Sequence, residues 1–477
     1  MSALELATRR FVAADQAAFA ELSGDFNPIH LDPLAARRTQ AGWPVVHGVH
    51  AALWALEALA AEGIALDRLA GIRVQFHKFI YLDCDVALRV SRRDAEGLGA
   101  ELLVNGVVVT ALSLTFGAWE TATGEFAGLP ETSLGPTPLA PPISEADGLA
   151  GWLRPSTTPA STLFPILCGA FDDARVAAVA QLSAVVGMAC PGLHSIFSSF
   201  AVNLVDNDNP QPGLGWRASL PDPRYARIGL TLGGSGIRGE AKALMRAAPV
   251  ESPGLDILST LVTQDEFAGR TALIVGGSRG LGAVTAKLLA AGGAKVIVTY
   301  AAGEADARRV VEDVRATRGE ASARMARCDV MSDLAAQLTN WLPGVTHLYY
   351  FPTSRISRQE AGLFSPATFA EFTKIYVERF HDLCLLALGV AGRSDLTVFY
   401  PSTVYVGERP RGTTEYAMAK SAGEVLCADL AQAFPGLSIT APRLPRVLTD
   451  QTASALPVKT EDPVAVMLPL LRAERPA

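Results

Sequence analysis

Along the first half of the chain, apolar residues recur at helical spacing and then in alternation. "AADQAAFAELSG" (13–24) reads as a helix, and "VHGVHAALWALEALAAEG" (46–63) is apolar on nearly every face, which suits a buried helix. Strand-like runs follow in "GIRVQFHKFIYL", "CDVALRVSRRD" and "AELLVNGVVVTALSLTFG". One long helix followed by a meander predicts a sheet wrapped around that helix. The order then recurs: "ARVAAVAQLSAVVGMACPGLHSIF" is helix-like, and "SSFAVNLV", "GWRASLPD", "YARIGLTLGG" and "IRGEAKALMR" are strand-like, which indicates a repeat at domain scale. From residue 265 the pattern changes to strand and helix in alternation, through "TALIVGG", "LGAVTAKLLAAGG", "AKVIVTY" and "DARRVVEDVRATRG" and on to "SITAPRL". That rhythm predicts a parallel, doubly wound sheet. Stretches rich in Pro, Gly and Ser at 121–148 and 246–256 punctuate the pattern. The expected organisation is a first block over 1–120, a linker over 121–148, a second over 149–250 and a third over 265–477.

At 477 residues the chain is long enough for two or three such cores. A net charge of −7 supplies no basic field for phosphate backbones or anionic lipid, so neither nucleic acid nor membrane is expected as a partner. The six cysteines are scattered and form no C-x-x-C pair, which reads as reduced core thiols. With no basic-then-apolar leader at the start, the expected compartment is the cytoplasm.

The first candidate chemistry lies in "SGDFNPIHLD" (23–32). Pro28 fixes its own φ and pushes Asn27 away from helix, so the loop can aim Asp25 and His30 at one point. A carboxylate and an imidazole sharing a water can activate it and return its proton. Alone, D-x-N-P-x-H also describes an Asx turn in which Asp25 caps and His30 is a spectator. Together, "FAELSGDFNPIHLDPLAA" and "VVHGVHAAL" resemble the MaoC-like (R)-specific enoyl-CoA hydratases. The resemblance implies a hot-dog fold, with Asp25 and His30 at the catalytic positions. It also implies that the Gly48 N–H holds the thioester oxygen at a helix N-terminus and that Asn27 braces the loop or positions the water. His47 and His50 have a spacing that could suit a metal, but no third ligand is suggested and none is expected. In the second block no D-x-N-P-x-H precedes the helix, and "DNDNP" (206–210) reads as a surface turn. This arrangement resembles double hot-dog hydratases, in which one half catalyses and the other gives room for the acyl chain.

The second candidate chemistry is "ALIVGGSRGLGAVTAKLL". Gly276, Gly280 and Gly282 stand between a strand and a helix, where a pyrophosphate can approach the helix N-terminus, with Ser278, Arg279 and Leu281 in the same turn. In "YAMAK", Tyr416 and Lys420 lie one helical turn apart, so the ammonium can lower the phenol's pKa. With "LTVFYPSTVYVGERPRGTTE" upstream, the pattern resembles short-chain dehydrogenases/reductases. Ser402 and Thr403 are both candidates for orienting a substrate carbonyl, and Asp329 in "RCDV" for an adenine contact. No acid closes "VIVTY", while Arg279 could meet a 2′-phosphate, so NADPH is expected over NADH. Three departures stand out: "YYFPTS" places Phe351, Pro352 and Thr353 where the family has N-A-G, Tyr376 falls at a position that often carries asparagine, and no seventh strand is evident.

The sequence therefore predicts an α+β double hot-dog domain followed by an α/β Rossmann-like doubly wound domain. The expected activity is NADPH-dependent 3-ketoacyl reduction coupled to (R)-3-hydroxyacyl dehydration or enoyl hydration. Its substrate would be an acyl thioester on coenzyme A or acyl carrier protein, and a homodimer is expected. Alternatives are hydration followed by NAD-dependent oxidation, a hydratase with a non-catalytic Rossmann-like module, and a non-catalytic acyl-carrier binding protein.

Overall fold

A computed structural model describes residues 5–94, 97–121, 126, 128–206, 212–222, 226–246, 248–356, 364–390, 395–450, 452 and 458–474. The chain forms two compact units that divide at Ala248/Pro249. Beyond Asp206, the turn expected at 206–210 lies outside the described residues.

In the first unit, β1 (Glu5–Arg10) leads into α1 (Ala13–Ser23). Helix α1 ends because Gly24 takes a left-handed φ of 77° and donates its N–H to the Ala20 carbonyl at 2.8 Å. Helix α2 (Gly48–Ala61) is buried along most of its length, as its apolar pattern requires. The strands β2 (Leu69–Phe76), β3 (Asp85–Arg93), β4 (Gly97–Val104) and β5 (Val107–Phe116) follow. The run at 100–117 is thus a hairpin, not one strand. Asn105 and Gly106, at φ 49° and 76°, supply the tight turn that right-twisted strands favour.

The second half contributes β6 (Ala150–Leu153), α3 (Asp173–Ala184), β7 (Ser195–Asp206), β8 (Leu214–Asp222), β9 (Arg227–Gly234) and β10 (Ile237–Met245). All ten strands join one sheet in the order β1-β3-β4-β5-β2-β7-β10-β9-β8-β6, and the short strand Glu120–Thr121 pairs beside β7. Read outward from the central antiparallel β2–β7 pair, where Val74 faces Phe200, the two halves have the same topology. Helices α2 and α3 pack on each other and share one apolar core with strands of both halves. β1 and β6 were missed in the sequence pattern because each is a short edge strand with little alternation to announce it.

In the second unit, β11 (Thr271–Val275), β12 (Lys295–Tyr300), β13 (Ala323–Arg327), β14 (His347–Tyr350), β15 (Leu396–Phe399) and β16 (Leu437–Thr440) form a sheet ordered β13-β12-β11-β14-β15-β16. Every pair in it is parallel. The order reverses at β11, so the loops after β11 and β14 open a crevice at the carboxyl ends of the strands. Helices α4 (Gly280–Ala291), α5 (Glu304–Arg318) and α6 (Thr414–Ala433) carry the residues discussed below. Among the described residues no helix is long and apolar enough to cross a membrane.

Candidate functional sites

The loop after α1 is built by local capping. Asn27 accepts the Ile29 N–H at 3.2 Å ahead of the short helix Pro28–Leu31, and Asp32 accepts those of Leu34 and Ala35 ahead of the next. Two turns in quick succession place Asp25 and His30 on one side of the loop. The Asp25 carboxylate, a ring nitrogen of His30 and a ring nitrogen of His47 lie within 4.8 Å of one another. Asp25 Oδ1 accepts the Asn27 N–H at 3.1 Å. His30 Nδ1 lies 2.8 Å from the Val45 carbonyl oxygen. A carbonyl only accepts, so Nδ1 carries the proton and Nε2 is left open to exchange one. Burial pushes the Asp25 carboxyl above its ordinary range and the His30 imidazole below its own, and each partner's charge opposes the other's shift.

The second half of the unit completes this site with residues that no motif announced. Ser183 on α3 donates to Asp25 Oδ2 at 2.6 Å. After α3 the helix widens into a π-helical turn, Val185–Ala189, and the Gly187 carbonyl accepts Asn27 Nδ2–H at 2.8 Å. A Cβ on Gly187 would sit 2.4 Å from an Asp25 carboxylate oxygen, so only glycine admits the loop. Gly48 is the first residue of α2, where helix geometry gives its N–H no carbonyl within the helix. The Phe76 ring lies 2.8 Å from where its Cβ would be.

The pairing of His47 with His50, considered above for a metal, is not what the fold builds. His47 turns toward Asp25 and His30. His50 stacks on Phe19 at 4.7 Å and meets Phe11 and Phe164 edge-on, with neither ring nitrogen hydrogen-bonded. Burial first, then Arg9, lowers its pKa to about 3, while Asp15 opposes. A histidine that resists protonation when folded but accepts it when unfolded destabilises the fold as pH falls from its unfolded value near 6.5 toward 3. His50→Phe keeps the ring packing and removes that linkage. At pH 4 the variant is expected to lose about 3 kcal/mol less stability than the parent, relative to pH 7, in urea unfolding of the first unit.

In the second unit, Gly276 and Gly280 adopt φ of 77° and 54°, and a Cβ on Gly282 would sit 2.3 Å from the Gly276 carbonyl oxygen. Ser278 is half-buried in the turn, and Leu281 opens α4 behind it. This cradle of bare backbone at a helix N-terminus fits a dinucleotide pyrophosphate. The Phe351–Pro352 backbone closes on it, 3.1 to 3.3 Å from where a Gly276 Cβ would be. Arg279 donates to Asp450 Oδ2 at 3.0 Å and lies 3.7 Å from Asp306 Oδ2. Although no acid ends β12, the first turn of α5 returns Asp306 to the glycine loop, which strand-end reading could not see. Asp329 accepts the Met331 N–H at 3.0 Å and the Ser332 hydroxyl at 3.2 Å, so its side chain shapes a local turn.

Tyr416 and Lys420 share a buried face of α6. Thr403, whose hydroxyl accepts the Tyr405 N–H at 3.2 Å, lies close enough to Tyr416 to oppose the rise that burial gives its pKa, whereas Ser402 donates to Glu424, itself paired with Arg443. Of the two hydroxyl candidates, Thr403 is the one beside the phenol. Lys420 donates to the Pro401 carbonyl at 2.6 Å and lies 4.0 Å from the centroid of Tyr376 and 4.7 Å from that of Tyr400. Burial lowers its pKa to about 7 and raises that of Tyr416. Tyr376 stands in a π-helical turn, Lys374–Glu378, whose Ile375 and Tyr376 carbonyls accept from the Tyr350 and Tyr400 hydroxyls at 2.7 and 3.1 Å. Its own hydroxyl bonds Thr353 at 2.7 Å.

Residues 3–111 match the MaoC like domain, and residues 270–344 match short chain dehydrogenase. The chain thus joins a MaoC-like domain to a short-chain dehydrogenase domain. A 42-residue segment is 57% identical to an (R)-specific enoyl-CoA hydratase of Aeromonas caviae, covering 9% of this chain and 31% of that protein. Another of 128 residues is 32% identical to an uncharacterized oxidoreductase of Methylorubrum extorquens, covering 26% of this chain and 48% of that protein. The chain therefore spans about a third and about half of the lengths of these curated relatives. A solved short chain dehydrogenase from Shigella flexneri 2a, complexed with NADP, is 19% identical, with a TM-score of 0.39 over 44% of this chain and 92% of that one.

Proposed function

We propose that the chain is a bifunctional acyl-thioester enzyme in which a double hot-dog hydratase precedes a Rossmann-like reductase. The observation that carries the reading is the convergence of Asp25 and His30 with His30 Nε2 left open. In hydration, the oxygen of water bonds C3 of a trans-2-enoyl thioester as the pair takes its proton, and a proton is returned to C2 to give the (R)-3-hydroxyacyl product. The Gly48 N–H, at the positive end of α2, holds the thioester oxygen as negative charge gathers there. Dehydration is the same path reversed.

In the reductase half, Gly276, Gly280 and Gly282 with Ser278 and Leu281 would cradle a nicotinamide dinucleotide, and Arg279 would meet its 2′-phosphate. When bound, that cofactor supplies the hydride. Tyr416 gives its proton to the oxygen of a 3-ketoacyl thioester, Thr403 steadies that oxygen, and Lys420 supports the charge left on the phenol. The 3-hydroxyacyl thioester is common to both halves, which gives the fusion chemical logic, and NADPH favours reduction followed by dehydration. Incubation with 3-ketoacyl thioesters on coenzyme A and on carrier protein, with NADPH, tests the reading: enoyl thioester identified by mass supports it, and unchanged substrate on both carriers opposes it.

A second reading, hydration followed by NAD-dependent oxidation, is favoured by one observation: Asp306 and Asp450 flank Arg279 with negative charge. Cofactor titration separates the two. If NADPH is the cofactor, Arg279→Ala should weaken it roughly ten- to a hundredfold through loss of a charged hydrogen bond and leave NADH little changed. Equal losses, or tighter NADH binding by the parent, favour the second reading.

A further inference from the structure

We propose that His47 is a positioning residue for both members of the Asp25–His30 pair, an inference that rests on the hydratase reading. His47 caps α2 and is fully buried. Its backbone N–H donates to Gln16 Oε1 at 2.9 Å, and the same oxygen lies 2.9 Å from its ring Nδ1. On the other side, Nε2 lies 3.0 Å from the backbone oxygen of Asp25 and 3.9 Å from its carboxylate. Both ring nitrogens face oxygens of the protein, and the neutral ring, with one N–H, donates to one of them at a time, so the ring offers no atom to a substrate and does not itself exchange a proton with one. Its face does different work. The His47 and His30 rings are stacked, with centroids 3.8 Å apart and planes 23° from parallel.

His30 is therefore held at two points. The Val45 carbonyl fixes its Nδ1 edge, and His47 fixes its plane. The contact to the Asp25 backbone fixes the other partner, so one side chain sets the distance and angle between the two reacting groups. When His30 takes a proton, the π face of His47 lies against the new cation, which favours the protonated form. The titratable groups around His47 are Asp25, His30 and, on its own helix, His50. Burial holds His47 well below its ordinary pKa, with His30 and His50 adding to the shift and the Asp25 backbone contact opposing it.

Three variants of the full chain test this, read by enoyl-thioester hydration over a pH series. His47→Phe keeps the stacked face and loses both polar contacts. It should lower kcat about 10- to 100-fold with KM within about twofold, the cost of a misplaced reacting group. His47→Gln keeps an amide N–H near the Nε2 position and loses the face. It should recover part of the kcat lost in His47→Phe, and the acid-limb pKa assigned to His30 should move down. Gln16→Ala leaves the ring and removes its anchor. It should lower kcat by less than His47→Phe, and it decides the matter if neither His47 variant folds. Loss of stability with kcat and KM changed alike in all three, an unmoved pH profile, or normal kcat would overturn the assignment. Absence of hydration by the parent chain on either carrier would instead overturn the hydratase reading itself.

Discussion

Asp25→Asn is expected to lower enoyl-thioester hydration by about two to four orders of magnitude, and His30→Ala by a similar factor, with nicotinamide binding by the second unit unchanged. The geometry explains why so conservative a change should cost so much. Asp25 Oδ1 accepts a backbone N–H and Oδ2 accepts the Ser183 hydroxyl, so both oxygens occupy acceptor positions. An asparagine presents an NH2 to one of those donors. Ser183 can rotate its hydroxyl to accept, but the Asn27 N–H cannot turn, which orients the amide and keeps the loop folded while its charge is gone. The variant thus separates chemistry from architecture. The parent's pH profile adds a check of sign. Because burial raises the Asp25 pKa, the carboxylate protonates sooner than an ordinary aspartate as pH falls, which should add a step above the ordinary aspartate range to the one assigned to His30. Activity near that of the parent in either variant would make "SGDFNPIHLD" a turn and no more.

The loop was legible because its chemistry is local. Asn27, Pro28 and Asp32 cap the short helices that immediately follow them, and spacing alone announces such turns. What sequence could not supply is the wall opposite. Ser183 and Gly187 reach Asp25 from more than 150 residues away, through the pairing of β2 with β7 and the packing of α2 on α3. Nothing in "AQLSAVVGMAC" marks that serine out from a helix-buried spectator. His47 was visible only as half of an i, i+3 pair with His50, a spacing from which no metal was expected; in the fold the helix N-terminus turns the first ring to the loop and the second into the phenylalanines. In the second unit, the strand-helix rhythm and the Tyr416–Lys420 spacing follow from periodicity. The return of Asp306 and Asp450 to Arg279 depends on how two distant segments pack.

Tyr416→Phe is expected to lower reduction of 3-ketoacyl thioesters by about two to four orders of magnitude and to spare dehydration of a supplied 3-hydroxyacyl thioester. The phenol ring packs edge-on against Phe372 and Tyr376, and the substitution keeps both contacts. Only the hydroxyl with its transferable proton, and its approach to Thr403, are lost. Burial raises the Tyr416 pKa, so the group is a phenol at neutral pH, ready to donate to a carbonyl in reduction. Oxidation would need the phenolate and should improve as the medium becomes alkaline. Burial lowers the Lys420 pKa to about 7, with Cys427 and Glu424 opposing the shift, and its ammonium lies against the ring faces of Tyr376 and Tyr400. Because dehydration resides in the first unit, unfolding of the second unit alone would spare it too, so loss of reduction with NADPH binding retained is the result that assigns the proton to Tyr416. The opposite result is equally informative. If the parent chain binds NADPH yet reduces no 3-ketoacyl thioester on either carrier, the cause lies in the segment Phe351–Thr353, whose backbone closes on Gly276 and whose Thr353 hydroxyl is tied to Tyr376. The second unit would then be a nicotinamide-binding module beside an active hydratase.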